Sequence, residues 1–96
     1  MKEIIDFSKI LRKGKSNGIS AGRLKYWIHA KNTREVRIHI NRARISGQLI
    51  CSGNTGYYLP ENAKEIEEFI KREENTARSI FATLKTARKA LKEMKD

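Results

Sequence analysis

The sequence predicts a mainly helical protein that contains one small β-hairpin and ends in a long helix. Within residues 1–46, apolar side chains recur at the three- and four-residue spacing of helices in three separate segments. Residues 48–59 instead hold two short apolar runs around a turn rich in glycine and asparagine, and residues 61–96 contain neither glycine nor proline. These changes of pattern divide the chain of 96 residues into two predicted domains, 1–60 and 61–96.

The first predicted helix covers residues 3–13, because Ile4, Phe7 and Leu11 lie at helical spacing there. Gly14 follows, and glycine suits the end of a helix since it adopts a positive φ without strain. The stretch GKSNG, which begins with Gly14, has the composition of a turn.

A second helix is predicted to begin after Ser20, whose short polar side chain suits an N-cap. Leu24 and Ile28 lie one turn apart and form its apolar side, to which Trp27 adds bulk. The polar residues KNT then separate this helix from the next segment.

The stretch NTREVRIHINRARISG, residues 32–47, has features of both a strand and a helix. Val36, Ile38 and Ile40 alternate with polar residues as in a half-buried strand, but this alternation reverses midway through the stretch. The helical pattern holds throughout, because Val36, Ile40 and Ala43 stay on one side of a helix.

Both ends of this stretch also carry helix-terminating signals. Asn32 and Glu35 have the spacing of a capping box, and Gly47 lies where a helix needs a residue able to take a positive φ. We therefore predict a helix over residues 32–46.

The stretch QLICSGNTGYYLP predicts a β-hairpin over residues 48–59. The runs LIC and YYL are rich in strand-forming residues, and SGNTG between them is typical of a tight turn. Alternation along the second strand predicts that one of Tyr57 and Tyr58 points into the core and the other outward, without deciding which.

The last 36 residues predict a long helix with a heptad repeat of apolar residues. The two seam positions hold Ile66, Ile70, Ala77, Ile80, Leu84, Ala87, Leu91 and Met94, with Glu73 as the polar member. A small domain cannot cover so long a stripe, so we expect self-association through residues 66–94, as a homodimer or a higher homo-oligomer. The polar residues 73–76 are a candidate break, which would leave two shorter helices, the first folded back onto the domain.

The positive charge of the protein is concentrated in the first predicted domain. Residues 1–60 hold twelve Lys/Arg and three Asp/Glu, a net charge of +9, whereas residues 61–96 hold nine and eight, a net charge of +1. A basic domain beside a charge-balanced segment is typical of a polyanion-binding module joined to a part with another role. The alternative, charge that only confers solubility, would be spread evenly.

No sequence pattern indicates an enzyme, so we expect no catalytic residues, cofactor, metal or small-molecule substrate. His29, His39 and Cys51 are the only histidines and cysteine, and no spacing among them is typical of a metal site or a nucleophile. A single cysteine cannot form an internal disulfide, which favours a cytoplasmic protein. No run of about 18 apolar residues is present, so we expect no membrane association.

The order helix, helix, turn, helix and two-stranded hairpin is that of a winged helix-turn-helix. The segments IS at 19–20, NTREVR at 32–37 and ICSGNTGYYLP at 50–60, with Leu24, Ile28, Ile40, Ala43 and Gly47, resemble biotin-repressor-type winged helix-turn-helix domains. They are particularly similar to small DNA-binding proteins of bacteriophages and prophages that carry a TREVR…ICS…GYYLP pattern. The resemblance covers residues 19–60 well, and ICSGNTGYYL is its most specific part.

This resemblance implies how the domain would contact DNA. The helix led by Thr33 and Arg34 would enter the major groove, and the hairpin would act as a wing that touches the backbone or the minor groove. The chain departs from these relatives at His29, where they usually have glycine.

The face of helix 32–46 opposite its apolar side supplies the candidate base contacts, Arg34, Arg37, Ile38 and Asn41. Arginine suits guanine or phosphate, asparagine suits adenine, and isoleucine can meet the methyl group of thymine. Ile38 has the alternative role of covering the first helix, in which case the arginines beside it would only be solvated.

The residues expected near the DNA backbone are Ser20, Arg23, Lys25, Thr33, Arg44, Asn54 and Thr55. We therefore expect sequence-specific binding of double-stranded DNA by a dimeric transcriptional regulator. Two alternatives remain open: a phage replication or packaging component that docks on DNA through the same domain, and a winged helix that binds only proteins.

Overall fold

The computed structural model describes residues 3–95, and the chain divides into two compact units, Met1–Ile66 and Glu67–Asp96. Three helices and one hairpin follow in the order α1 (Ala21–Trp27), α2 (Thr33–Ile45), β1 (Cys51–Gly53), β2 (Gly56–Tyr58) and α3 (Ala63–Lys95). A mainly helical protein with one antiparallel hairpin and a long C-terminal helix is thereby confirmed. The predicted domain ranges also include residues 1, 2 and 96, which lie outside the described residues.

The helix predicted over residues 3–13 is wrong, because only a single 3-10 turn forms there, Phe7–Lys9. Asp6 caps this turn by accepting hydrogen bonds from the amide and hydroxyl groups of Ser8, which also lowers the pKa of Asp6. The predicted apolar residues are nevertheless used, since Phe7 and Leu11 lie in the core.

The helix cannot continue because the backbone beyond Leu11 pairs with the segment after the hairpin. The amide of Leu59 donates to the carbonyl of Arg12, and the amide of Gly14 donates to the carbonyl of Leu59, each at 2.8 Å. Gly14 has the positive φ of 98° that its predicted role at a helix end requires, but it ends no helix and instead precedes a second 3-10 turn, Lys15–Asn17. Tertiary pairing thus replaces local helical hydrogen bonds at residues 12–14.

Helix α1 begins and ends with recognisable caps. The Ser20 side chain accepts a hydrogen bond from the amide of Arg23, as predicted for an N-cap. At the other end His29 has a positive φ of 56°, and the amide of Ala30 donates to the carbonyl of Lys25 at 2.9 Å. His29 thus adopts a left-handed conformation that glycine takes without strain and that costs most residues about 1–2 kcal/mol.

The helical interpretation of residues 32–47 is confirmed. Asn32 caps α2 by accepting a hydrogen bond from the amide of Glu35 at 2.9 Å. After the helix Gly47 has a φ of 113°, and the amides of Gly47 and Gln48 donate to the carbonyls of Arg44 and Ala43. These two bonds form a Schellman motif, which satisfies the last carbonyls of the helix.

The core of the first unit lies between α1, α2 and the segments on either side of them. Leu24 of α1 packs with Val36, Ile40 and Ala43 of α2, and all four side chains are buried. Phe7, Leu11, Ile19 and Ile50 complete the same cluster. Burial of each large side chain contributes about 1.5–3 kcal/mol, so the stripe on α2 holds that helix in a fixed rotation.

The predicted hairpin is confirmed, with a two-residue connection, Asn54 and Thr55, between its strands. Cys51 pairs with Tyr58, and Ser52 pairs with Tyr57. Tyr58 is the buried tyrosine, whereas Tyr57 is only partly covered.

Ile19 adds a third segment to the hairpin, because its amide and carbonyl groups exchange hydrogen bonds of 2.8 Å with Tyr57. Two glycines permit this close approach. A Cβ atom on Gly56 would overlap the carbonyl group of Ile19, and one on Gly18 would lie 2.8 Å from the carbonyl carbon of Thr55. The start of α1 is thereby fixed against the hairpin.

Glu65, in the first turn of α3, joins that turn to two other residues of the first unit. Its carboxylate accepts hydrogen bonds from the amides of Lys15 at 2.9 Å and Glu61 at 2.8 Å. These bonds favour the charged form and hold the pKa of Glu65 below its usual value. The Asn62 side chain accepts from the amide of Glu65 and so caps the helix.

Helix α3 continues without interruption through residues 73–76, so the predicted break there is wrong. Asn75 does not cap a second segment, because its side chain accepts from Arg78 and its carbonyl accepts from the Ser79 hydroxyl. The Thr76 hydroxyl likewise donates to the carbonyl of Arg72. Polar side chains are thus accommodated along the helix rather than ending it.

None of the helices within residues 3–95 combines the length and the apolar composition that crossing a bilayer would require.

We expect Gly56→Ala to lower the free energy of unfolding by at least about 2 kcal/mol, because alanine is strained at this positive φ and its Cβ would overlap Ile19. Urea unfolding followed by circular dichroism measures the change. Gly22→Ala is the matched control, since the nearest atom to its Cβ, the Ser20 hydroxyl, is 4.0 Å away. That variant should gain about 0.5–1 kcal/mol from helix propensity, and equal effects of the two variants would contradict the packing described.

We expect acid to destabilise the protein partly through Glu65. Because its pKa is lower in the folded chain than the ordinary value of 4.5, this stabilisation is present above that pH and is lost as the pH falls through the folded-state pKa. Glu65→Gln should therefore lower the urea midpoint at pH 7 more than at pH 3. Glu68→Gln, on the exposed side of the next turn, is the control and should give the same difference from the parent protein at both pH values.

Candidate nucleic-acid interface

The face of α2 opposite the core is exposed and carries the four residues predicted to contact bases. Arg34, Arg37 and Asn41 are exposed, and Ile38 is 41% exposed. Ile38 is therefore not buried in the core of the first unit. The arrangement follows from burial of Val36, Ile40 and Ala43, which turns the other side of the helix outward.

A shallow recess of ≈ 520 Å³ lies along this exposed face. It is lined by Lys31, Asn32, Arg34, Glu35, Ile38, His39 and Arg42. Four of these seven residues are basic or can become so, and Ile38 supplies an apolar patch among them. Glu35 is the one acidic residue of α2, and its carboxylate lies 4.0 Å from His39 Nε2. Lys31, His39 and Arg42 were not among the predicted contacts, although spacing places His39 and Arg42 beside Ile38 on the helix; Lys31 precedes the N-cap of α2.

Thr33, at the beginning of α2, and Ile45, at its end, are both exposed. Thr33 is the first helical residue and directly follows the cap at Asn32. Ile45 is 79% exposed and therefore does not pack under the hairpin.

Arg44 differs from the other basic residues of α2 because its side chain is bound within the domain. Its Nε donates to the carbonyl of Ile50 at 2.9 Å, and its Nη2 donates to the Ser52 hydroxyl at 3.3 Å. Its guanidinium also lies over the ring of Tyr57, 6.0 Å from the centroid. Arg44 therefore joins the last turn of α2 to both strands, a structural role that its position in a basic helix did not reveal.

The predicted backbone contacts on α1 are at or near its surface. Ser20 and Arg23 are exposed, and Lys25 is half-buried, with its ammonium group 5.0 Å from the ring centroid of Tyr26. The Ser20 oxygen is already used as the helix cap, but its hydroxyl hydrogen is still available to a phosphate.

Arg23 lines a second recess of ≈ 350 Å³. Lys9 and Arg12 from the N-terminal segment bring two more positive charges to it, and Trp27 forms an apolar part of its wall. Trp27 is 60% exposed, so it does not add to the core as its size suggested. Sequence spacing could not identify this cluster, because Lys9 and Arg12 reach it through the irregular path of residues 7–14.

The tip of the hairpin presents the last two predicted backbone contacts. Asn54 and Thr55 are both exposed. The Thr55 hydroxyl donates a hydrogen bond to the carbonyl of Lys15, so it holds the tip against the second 3-10 turn.

The interior of the first unit contributes packing rather than chemistry. Cys51 is fully buried, and this burial raises the pKa of its thiol, which keeps it in the unreactive protonated form at neutral pH. Among residues 3–95, no three side chains of His, Cys, Asp or Glu converge as they would around a metal ion. Each buried polar side-chain atom in this part of the chain has a hydrogen-bond partner.

Comparison of the chain with known protein families, with curated proteins and with solved structures found no match.

We expect Arg44→Ala to lower the free energy of unfolding by about 1–2 kcal/mol, since it removes charge-assisted hydrogen bonds that join α2 to the hairpin. Arg34→Ala is the matched control, because Arg34 is exposed on the same helix, and its effect should stay within about 0.5 kcal/mol. Urea unfolding of both variants provides the measurement. Equal stabilities of the two variants would show that Arg44 does not fasten the hairpin.

Proposed function

We propose that residues 1–66 bind double-stranded DNA in a sequence-specific way, as a winged helix-turn-helix of a transcriptional regulator. In this proposal α1 and α2 form the helix-turn-helix, α2 lies in the major groove, and the hairpin is the wing. The resemblance of residues 19–60 to winged domains of phage and prophage DNA-binding proteins supports it.

The observation that carries the proposal is the division of α2 into two sides of different chemistry. One side is a buried stripe that fixes the rotation of the helix. The other exposes Arg34, Arg37 and Asn41 around Ile38, which are donors, acceptors and an apolar group that suit the edges of bases. An α-helix with its side chains is about 10–12 Å across, which fits a major groove about 12 Å wide, and the 13 residues of α2 would extend roughly 20 Å along it.

Electrostatics supports a polyanionic partner. The first 60 residues carry a net charge of +9, and the structure distributes that charge over α1, α2 and the N-terminal segment. Lys31 and Arg42 flank the candidate base contacts, and Arg23 lies with Lys9 and Arg12 at a separate recess. Contacts to phosphate from these positions would set the register of the protein on the duplex, and α2 would then read the bases.

The hairpin suits the role of a wing because it is fixed at both ends. Ile19 holds one strand beside the start of α1, and Arg44 holds the other beside the end of α2. Its tip carries small polar residues and no acidic group, which suits approach to a phosphate backbone.

The experiment that tests the proposal is selection of bound duplexes from a random library, followed by affinity measurements at several salt concentrations. We expect enrichment of a defined sequence and a loss of affinity with a log–log salt slope of about −0.9 per phosphate contacted. An absence of enrichment together with a flat salt dependence would refute DNA binding and would favour a protein partner.

We expect Arg37→Ala to relax the selected sequence at one base position, with a loss of about 1–3 kcal/mol for the preferred base, because a bidentate contact to guanine would be removed. Binding of the parent sequence and of single-base variants provides the measurement. A uniform loss over all sequences would instead make Arg37 a phosphate contact.

The matched control for this prediction is Arg23→Ala on α1, where a phosphate contact is proposed. That variant should weaken binding of all sequences alike and reduce the magnitude of the salt slope by about 0.9, without changing the selected sequence. A changed sequence preference in this variant would contradict the assignment of α1 to the backbone.

A further inference from the structure

The second unit consists of a helix that exposes an apolar stripe, which only Glu73 interrupts. Within α3, Ile70, Ile80, Leu91 and Met94 are each at least 50% exposed, and Leu84 is 39% exposed. These residues and Ala77 occupy the two seam positions of the heptad repeat, which coiled coils bury against a second helix.

One flank of this seam reverses its charge along the helix. With Ile70 as position a of the heptad, position e holds in turn Glu67, Glu74, Phe81, Arg88 and Lys95. The two acidic residues precede Phe81 by seven and fourteen positions, and the two basic residues follow it at the same intervals. This flank is therefore complementary to itself when a second copy runs in the opposite direction through Phe81.

The other flank carries no charge at all. Position g holds Phe69, Thr76, Thr83 and Ala90. In a parallel pair of helices, position e of one helix faces position g of the other, so the charges at e would meet no ionic partner. In an antiparallel pair, e faces e, and Glu74 meets Arg88 of the second copy while Glu67 meets Lys95. The charge pattern therefore favours the antiparallel direction.

The seam residues fit the same register. Antiparallel helices pack position a against position d, and in the register that sets Glu74 against Arg88 the nearest such pairs are Ile80 with Leu84 and Ala77 with Ala87. The two large residues thus pack together near the centre of the dimer, and the two alanines pack together one helical turn away.

Glu73 distinguishes the two directions further. It occupies a seam position, and in a parallel pair the Glu73 carboxylates of both copies would face each other across the seam. In the antiparallel register each Glu73 lies opposite Leu91, so the two like charges are far apart. The exposed ring of Phe81, which has no role in a seam of a and d residues alone, would meet the same ring of the second copy at the two-fold axis.

We propose that α3 binds α3 of a second copy of this chain, as an antiparallel two-stranded coiled coil centred on Phe81. The partner is thus a second copy, the interface is isologous, and the assembly closes as a dimer. This pairing does not depend on whether the first unit binds DNA.

The first test measures the dimerisation of the full-length protein by sedimentation equilibrium at low salt. The chain of 11.1 kDa should sediment at twice its mass. Glu74→Arg and Arg88→Glu should each weaken dimerisation roughly tenfold, because either variant places like charges at two sites of the dimer. The double variant Glu74→Arg/Arg88→Glu should regain most of the affinity, since the pairs are restored with reversed sign.

Glu68→Arg and Lys89→Glu are the matched controls, because both lie at position f on the side away from the seam. Neither should alter the dimerisation constant more than about twofold. A monomer at tens of micromolar, an assembly larger than a dimer, or a double variant weaker than either single variant would overturn the proposal.

The second test uses single cysteines in a Cys51→Ala background, which removes the one natural thiol. Ile80→Cys and Leu84→Cys should form little disulfide separately, but a mixture of the two should form a cross-linked heterodimer under mild oxidation. Circular dichroism of each variant confirms that the helix is intact. Efficient cross-linking of either variant with itself, without preference for the mixture, would establish parallel packing and overturn the proposal.

Discussion

The first unit depends on the close approach of Ile19 to the hairpin. Two backbone hydrogen bonds join Ile19 to Tyr57, and Gly18 and Gly56 remove the Cβ atoms that would prevent this distance. Because Ser20 follows directly and caps α1, the pairing also determines where α1 begins. The position of α1 then determines which side of α2 is covered, and so which side chains remain exposed.

A basic surface and an apolar stripe are kept on separate parts of the chain. Nearly all of the net charge lies before residue 61, whereas the exposed apolar side chains of α3 lie in the segment 61–96, whose net charge is +1. This separation matters physically, because a strongly cationic helix would repel a second copy of itself. Because residues 61–96 carry so little net charge, charge repulsion would oppose the pairing of two copies of this segment only weakly.

The elements that could be predicted from the sequence are those whose ends are determined locally. The helix over 33–45 has its cap, its apolar stripe and its terminal glycine within one short stretch, and the hairpin carries its turn residues between its strands. The prediction of a helix over 3–13 was wrong because the backbone partner of this segment, Leu59, is distant in sequence. No local sequence pattern indicates such a pairing. The prediction of a break at residues 73–76 was wrong for a local reason. Polar residues that favour helix ends can also form hydrogen bonds to the backbone within a helix.

In the candidate site too, local sequence patterns indicate which side chains are exposed but not which tertiary contacts they make. The exposure of Arg34, Ile38 and Asn41 follows from helical periodicity, and so it could be predicted. The internal bonds of Arg44 and the clustering of Lys9, Arg12 and Trp27 around Arg23 depend on tertiary structure. A basic residue in a basic helix has the same appearance in a sequence whether it contacts a ligand or its own fold.

The bonds of Arg44 have a consequence for the thermodynamics of recognition. Since one guanidinium joins the last turn of α2 to β1 and lies over Tyr57 of β2, helix and hairpin are already ordered relative to each other before any partner arrives. A partner that contacts both elements then need not bring them together, and the conformational entropy that such ordering would cost on association has already been lost during folding. Because of this preorganisation, a larger share of the interaction energy of a few contacts would appear as binding affinity.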